Sequence, residues 1–183
     1  MKAVLDACVL YPTVLREILL AVAEAGLFAP LWSPRIEREW VLAALREGGD
    51  PQAEAAALNR RFPQAMVPLT AEEERAAEAA YDLPDPADRH VLAAAIKAGA
   101  GVIVTLNLRD FPRTSLSGLG LRALHPDAFL TDLWLRSPDR VAAAVARVAA
   151  EAERIAGAPR GLRPLLKKAY LPRLGKALAG PAA

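Results

Sequence analysis

The chain alternates short apolar runs with longer segments of helical periodicity. The apolar runs predict short strands at residues 2–5, 28–32, 65–69, 102–104 and 121–124. Val102-Ile103-Val104 is an unbroken β-branched run, which is typical of a central parallel strand buried on both faces. From His125 onward the pattern is wholly helical, and it is divided into pieces by prolines at positions 126, 138, 159, 164 and 172.

Capping signals predict where several helices begin. Ser33-Pro34 and Asp50-Pro51 each combine an N-cap residue with a proline at the first helical position. Thr70 and Glu73 form a capping box. The helix from Ser33 is expected to end at Gly48-Gly49. Strands that alternate with helices predict right-handed βαβ units and an α/β fold, in which helices cover both faces of a parallel sheet.

Composition adds limits to this picture. The 183 residues are enough for a domain with a sizeable core, and the formal net charge of +2 does not by itself indicate a nucleic-acid-binding protein. The single cysteine, Cys8, excludes an intramolecular disulfide and is expected to be a small packed thiol. No apolar stretch reaches the ~18 residues that span a bilayer, and the N-terminus lacks the apolar core of a signal peptide. We therefore expect a cytoplasmic protein with no membrane partner.

Acidic residues stand where predicted strands end. Asp6 follows the first strand, Asp110 follows the strand at 102–104, and Asp85 and Asp88 open the helix that precedes that strand. Ligands of open α/β sheets bind at the carboxyl ends of the strands. Carboxylates gathered there suit a hard cation such as Mg²⁺ or Mn²⁺. This pattern predicts metal-assisted chemistry on a phosphate group.

Most of these acids also have a structural explanation. Asp85 is placed as an N-cap, Asp88 lies where a carboxylate favours the helix dipole, and Asp110 is placed to cap a turn. Glu39 lies on a charged helix, where solvation is a sufficient role. Asp6 differs, because it directly follows an apolar strand and would be costly to bury unless it is paired or bound to a cation.

Four stretches of the chain resemble the motifs of PIN-domain nucleases. They are Val4–Leu10, Trp32–Trp40, Asp85–Ala95 and Val102–Pro112. The resemblance covers residues 1–124 and implies a three-layer α/β/α sandwich with a central parallel sheet. Residues 125–183 are then expected to form a helical extension packed on this nuclease domain. The family also implies an Mg²⁺- or Mn²⁺-dependent ribonuclease, often the toxin half of a bacterial toxin–antitoxin pair of the VapC type.

The resemblance also implies roles for single residues. Asp6, Asp88 and Asp110 would bind the metal, and Glu39 (rather than Glu37) would complete the catalytic set by orienting or deprotonating a water. Asp85 is a reserve ligand or a cap.

The last motif departs from the family pattern. Many members place an Asp two residues after its Thr, where this chain has Asn107. Either Asp110 binds the metal instead, or metal binding is weaker at this position of the site. Thr105 is placed to orient a ligand or simply to end the strand. No feature selects a substrate-binding residue among Arg35, Arg38 and Arg109.

Other residues with chemical potential have weaker cases. His90 points away from Asp88 on a helix, so a packed or solvated role fits it better than a catalytic one. Cys8, His90 and His125 are too dispersed for a zinc site. The tail after Glu153 has seven basic residues and no acidic residue. It reads either as an amphipathic helix packed on the domain or as a surface for RNA phosphates or an antitoxin segment.

Three functions follow from these observations. The leading one is a ribonuclease toxin with an RNA substrate, a small antitoxin protein as partner and, by default, a homodimeric assembly. A catalytically weak or inactive PIN-like binding module is the alternative that Asn107 keeps open. A haloacid-dehalogenase-type phosphatase is disfavoured, because its second Asp would stand at Cys8.

Overall fold

The computed structural model describes residues 1–47 and 50–180, so the predicted helix end at Gly48-Gly49 lies outside the described residues. The chain forms two compact units. The first combines Met1–Tyr11 with Ala29–Leu124, and the second combines Pro12–Phe28 with the chain from His125 onward. The segment Pro12–Phe28 therefore groups with the C-terminal helices. The division at residue 124 into a nuclease domain and a packed extension stays a prediction.

The sheet of the first unit is parallel throughout. Its strands are β1 (Lys2–Leu5), β2 (Ala29–Leu31), β3 (Val102–Val104) and β4 (Arg122–Leu124), in the order β2-β1-β3-β4. Val4 of β1 pairs with Leu31 on one side and with Ile103 on the other, and Ile103 pairs in turn with Ala123. β3 is fully buried, as its β-branched run predicts, and the last strand lies at an edge. The α/β class and the PIN-like α/β/α fold are confirmed.

The helices predicted from the caps at Ser33, Asp50 and Thr70 begin at those caps, whereas the short helices Ala7–Leu10 and Arg113–Leu116 were not predicted. The α-helices of the described residues are labelled in chain order. They are α1 (Ala7–Leu10), α2 (Thr13–Glu24), α3 (Pro34–Ala44), α4 (Pro51–Arg61), α5 (Ala71–Ala80), α6 (Arg89–Ala98), α7 (Arg113–Leu116), α8 (Pro126–Arg136), α9 (Pro138–Ala156), α10 (Leu162–Lys168) and α11 (Pro172–Leu178). Ser33 Oγ accepts from Ile36 N at the start of α3. Thr70 and Glu73 form the reciprocal capping box of α5. α6 packs on β1 and β3, and its residues Val91 and Leu92 are buried.

The strand predicted at residues 65–69 is wrong. Only one parallel bridge forms there, between Met66 and Trp32. Trp32 N donates to Ala65 O at 2.9 Å, and Val67 N donates to Trp32 O at 2.8 Å. The next donor in this ladder would be the backbone N–H of residue 34, but Pro34 has none and begins the following helix, so the pairing ends after these two bonds.

The second unit is helical. α2 packs on α9, while α8 contacts both α9 and α11. Phe28 meets the ring of Phe129 edge-on, with centroids 4.9 Å apart. Asp127 of α8 is buried, and its two carboxylate oxygens accept from the backbone N–H groups of Arg173 and Leu174 at 2.9 Å each. Within the described ranges, no helix has the length and apolar character needed to cross a membrane.

Candidate metal centre at the acidic edge of the sheet

Asp6 stands directly after β1 and is only 7% exposed. Its Oδ2 accepts a hydrogen bond of 2.7 Å from Thr105 Oγ1 and a longer contact of 3.1 Å from Cys8 Sγ. Asp6 N donates to Val104 O, which ties the residue to the end of β3. The carboxylate is thus held by neutral donors, and no ion pair to it is present among the residues that the structure describes.

Three further carboxylates converge near Asp6. Asp85, Asp88 and Asp110 each offer an oxygen, and these three atoms lie within 4.8 Å of one another. Asp85 keeps its capping role as well, because its Oδ1 accepts from Ala87 N at 2.8 Å. Asp88 ends the short 3₁₀ turn Pro86–Asp88 and stands immediately before α6. The structure therefore gathers acids that are far apart along the chain.

Electrostatic crowding is strongest at Asp88. Burial raises the pKa of the Asp88 carboxyl to about 7, and the negative charges of Asp6, Asp110 and Asp85 add to the effect. A carboxyl ordinarily ionises near pH 4, so the protein disfavours the charged form here. A bound cation would reverse that preference, because it neutralises the mutual repulsion of the group.

Asp110 reaches this cluster by way of one 3₁₀ turn. Asn107 precedes the turn Leu108–Asp110, and Asp110 N donates to Asn107 O at 3.3 Å. A 3₁₀ helix has about three residues per turn, so residues three apart lie above one another. Asn107 Nδ2 also donates a hydrogen bond to Asp110 Oδ2. A carboxylate three residues later thus arrives beside the position that Asn107 occupies.

Thr105 and Cys8 form a hydrogen-bond network around Asp6. Orienting a ligand was one of the two roles predicted for Thr105, whereas Cys8 was expected only to pack. Thr105 is fully buried, and its Oγ1 both donates to Asp6 and accepts from Asn107 N at 3.0 Å. Cys8 Sγ accepts from Leu106 N at 3.2 Å. Burial, followed by the charge of Asp6, raises the pKa of the Cys8 thiol to about 12. Cys8 therefore stays a neutral thiol that can donate to the carboxylate, which is more than a packing role.

Glu39 belongs to a neighbouring ion-pair group. Its Oε1 lies 3.0 Å from Nε2 of the fully buried His90 and 3.5 Å from Nε of Arg35. Burial raises the pKa of Glu39, but the contacts with His90 and then Arg35 outweigh burial and hold the pKa below its usual value. His90 is packed, as expected, yet it is also the partner of Glu39, a tertiary contact that the local sequence pattern could not indicate. Glu39 is not one of the three carboxylates that converge within 4.8 Å.

The remaining candidates occupy distinct surroundings. Glu37 accepts from Asn59 Nδ2 at 2.7 Å. Arg35 also lies 3.7 Å from Glu74 and donates to Ala87 O, so its guanidinium is engaged by protein groups. Arg38 and Arg109 are exposed.

Comparison with known proteins gives the family. A PIN-domain family model matches residues 2–109. Over 45 residues the chain is 58% identical to the Mycobacterium tuberculosis protein named "Putative ribonuclease VapC50", and this alignment covers 25% of the chain and 27% of that protein. The chain thus matches only about a quarter of the length of this curated relative. No solved structure gives a significant match. The family model spans more than half of the residues and includes Asp6 at the end of β1 and Asp88 at the start of α6, and on this basis the chain belongs to the PIN-domain family.

Proposed function

We propose that the protein is a divalent-metal-dependent endoribonuclease that hydrolyses RNA phosphodiester bonds. The observation that carries this proposal is the convergence of Asp85, Asp88 and Asp110, with Asp6 close enough for its charge to raise the pKa of Asp88. Such an arrangement is costly without a cation, because like charges in a half-buried site repel one another. A structural role alone does not explain why four acids share one location.

The donor set fits Mg²⁺ or Mn²⁺. The converging ligands are carboxylate oxygens, which hard cations prefer, and the nearest sulfur belongs to a Cys8 thiol whose raised pKa keeps it protonated. Asp6, Asp88 and Asp110 would hold the ion, with Asp85 as a further ligand. When bound, the ion supplies Lewis-acid activation of the scissile phosphate and of the attacking water.

The surrounding side chains then have defined tasks. Thr105 and Cys8 fix the orientation of the Asp6 carboxylate, and Asn107 fixes that of Asp110. Fixed orientation matters because misplaced ligands lower metal affinity and activity. Glu39 remains ionised at neutral pH because His90 and Arg35 lower its pKa. Its lowered basicity favours accepting a hydrogen bond from water over removing a proton from it.

A toxin role extends this proposal. It rests on the family resemblance and on the name of the partial relative from Mycobacterium tuberculosis. In this proposal a cytoplasmic toxin cuts RNA until a small antitoxin protein binds it, and the toxin assembles as a homodimer. Expression should arrest growth, and co-expression of a small protein encoded beside it should relieve the arrest. Normal growth of cells that contain soluble, folded protein would contradict the toxin role.

The nuclease proposal is tested by Asp6→Asn. With Mn²⁺ present, we expect the RNA-cleavage rate of the variant to be at least about 100-fold lower than that of the wild type, because an amide brings no charge to the metal. Asp139→Asn is the matched control, since Asp139 is an exposed acid in the first turn of α9. Circular dichroism verifies the fold of both variants. Cleavage by Asp6→Asn at the wild-type rate would contradict the assignment.

A PIN-like binding module without catalysis is the competing function. Asn107 favours it, because a family acid is replaced there by a neutral amide. The two functions differ in metal binding, which isothermal titration calorimetry measures directly. A nuclease should bind Mn²⁺ in a manner that depends on Asp88, whereas an inactive module should show no specific binding.

A further inference from the structure

A basic cavity of about 730 Å³ is lined entirely by residues of the second unit. It is lined by Trp134 of α8, Arg163 of α10, and Arg173 and Lys176 of α11. We propose that this cavity binds a nucleotide unit of single-stranded RNA. The three cations hold the phosphate groups, and the indole of Trp134 stacks on a base. The volume lies in the range of small-ligand sites, roughly 300–1,000 Å³.

A buried carboxylate, that of Asp127, joins two of the helices that line this cavity. Asp127 is 3% exposed, and its two oxygens accept from the N–H groups of Arg173 and Leu174. These contacts tie the first turn of α11 to α8. Trp134 follows Asp127 by seven residues, which is two helical turns and places both side chains on the same side of α8. Arg173 and Lys176 are three apart and so share one side of α11.

Close packing brings the third cation to the same place. A Cβ atom at Gly175 would lie only 3.1 Å from Cβ of Leu166, so α10 and α11 approach each other closely at this glycine. Arg163 precedes Leu166 by one helical turn and lines the cavity with the two cations of α11. These contacts fix the backbone positions from which the three cations extend into the cavity.

The three cations of the cavity have no ion-pair partner among the residues that the structure describes. Arg163, Arg173 and Lys176 are exposed, and none of them forms an ion pair with another described residue. Arg154 provides the contrast, since it pairs with Glu151 at 2.6 Å. No acidic residue follows Glu153 in the sequence. Three converging like charges without a counterion favour an anionic ligand.

The aromatic side chain selects the kind of anion. An acidic peptide would satisfy the cations but has no planar group for the half-exposed indole of Trp134. Proteins that bind single strands combine cations along the backbone with aromatic rings that stack on bases. Lys167 and Lys168 are exposed on the same helix as Arg163 and continue the positive charge beyond the cavity. The choice of RNA as the strand rests on the proposed function, whereas the binding of a nucleotide unit does not.

The test measures binding without cleavage. Full-length protein carrying Asp88→Asn is titrated, in EDTA, against a fluorescently labelled 12-nucleotide oligouridylate, and the anisotropy is recorded. Combining Arg163→Ala, Arg173→Ala and Lys176→Ala should weaken binding at least tenfold. The slope of log affinity against log salt should fall by roughly 2, as expected for three phosphate contacts on a single strand. Arg46→Ala, Arg60→Ala and Arg75→Ala together remove the same charge from exposed positions and serve as the control.

Two further measurements separate stacking from charge. Trp134→Ala should weaken binding by roughly tenfold, and Trp134→Phe should restore most of it, because both rings stack. Equal losses in the cavity triple variant and the control triple variant would overturn the proposal, as would no loss in either. If a ten-residue oligoglutamate bound more tightly than the oligouridylate, the ligand would be an acidic protein segment. If UMP bound as tightly as the oligouridylate, the ligand would be a free nucleotide. Either result overturns the proposal. If the wild type failed to cleave RNA while the cavity substitutions still weakened oligonucleotide binding as described, that result would contradict the proposed function and leave the cavity proposal standing.

Discussion

Asp6 and Asp127 are both buried carboxylates, one in each unit, and their surroundings differ in kind. Asp127 accepts two backbone N–H bonds of 2.9 Å, so both of its oxygens are satisfied within the protein. Asp6 accepts from a hydroxyl and a thiol, and its charge contributes to raising the pKa of Asp88. A satisfied buried acid supports a fold, whereas an acid buried near other acids repels them, and that repulsion is what a bound cation would relieve.

The largest difference is expected in stability. Asp127→Ala removes the acceptor for the N–H groups of Arg173 and Leu174 at the start of α11. We expect the free energy of unfolding to fall by about 3 kcal/mol, since hydrogen bonds to a charged group are among the stronger ones. Urea denaturation measures this loss. Asp139→Ala, at an exposed acid, should change stability by no more than about 0.5 kcal/mol. Equal effects of the two substitutions would remove the structural role of Asp127.

The next effect concerns the support of Asp6. Thr105→Val keeps the side-chain shape but removes the donor to Asp6 Oδ2 and the acceptor for Asn107 N. We expect Mn²⁺ affinity to fall roughly tenfold, a typical cost of losing a group that orients a ligand. Calorimetric titration gives the affinity. Thr114→Val, at an exposed threonine, is the control and should bind Mn²⁺ as the wild type does. Unchanged Mn²⁺ affinity in Thr105→Val would show that Thr105 does not support the metal centre.

A smaller change in stability, opposite in sign to that of Asp127→Ala, is expected from a substitution at Asp88. Asp88→Asn removes one charge from the crowded group, so the metal-free protein should become more stable, whereas Asp127→Asn should destabilise it. The gain should be only about 0.5 kcal/mol, because the site is half exposed and solvent screens the repulsion. The same variant should lose Mn²⁺ binding. If Asp88→Asn destabilised the protein as Asp127→Asn does, the crowding argument would be wrong.

The smallest expected effect is a change of stability with pH in the metal-free protein. The pKa of Asp88 is raised to about 7 in the folded state, against roughly 3.9 for an unfolded chain. Between these values the folded state binds more protons, so its stability should decrease as the pH rises from about 4 to about 7. Saturating Mn²⁺ should cancel this contribution by keeping the carboxylate ionised. Melting temperatures across this pH range, compared with those of Asp88→Asn, check the trend; identical slopes would contradict it.

The sequence predicted those parts of the site that depend on local pattern and strand ends. The apolar runs placed β1 and β3, and the acids at their ends identified the edge where Asp6 and Asp88 lie. The capping box at Thr70 and Glu73 is also a local signal, and it forms as predicted. These features are encoded within a few neighbouring residues, which is why they can be recognised from the sequence.

Tertiary contacts account for what the sequence did not indicate. The hydrogen bond from Thr105 to Asp6 joins residues 99 positions apart, and the contact of His90 with Glu39 joins two helices. The arrival of Asp110 beside Asn107 depends on a single 3₁₀ turn, a short structure with a weak sequence signal. Asp127 gave no sign of its role, because its partners are backbone N–H groups 46 and 47 residues away.

A crystal soaked in Mn²⁺ tests the central claim most directly. Anomalous scattering at the manganese absorption edge locates the ion without assumptions about its ligands. We predict a peak bounded by the carboxylates of Asp6, Asp88 and Asp110, and no peak at Asp127. An empty acidic edge at saturating Mn²⁺, with these three carboxylates in the positions described above, would contradict the metal centre and the nuclease proposal that depends on it.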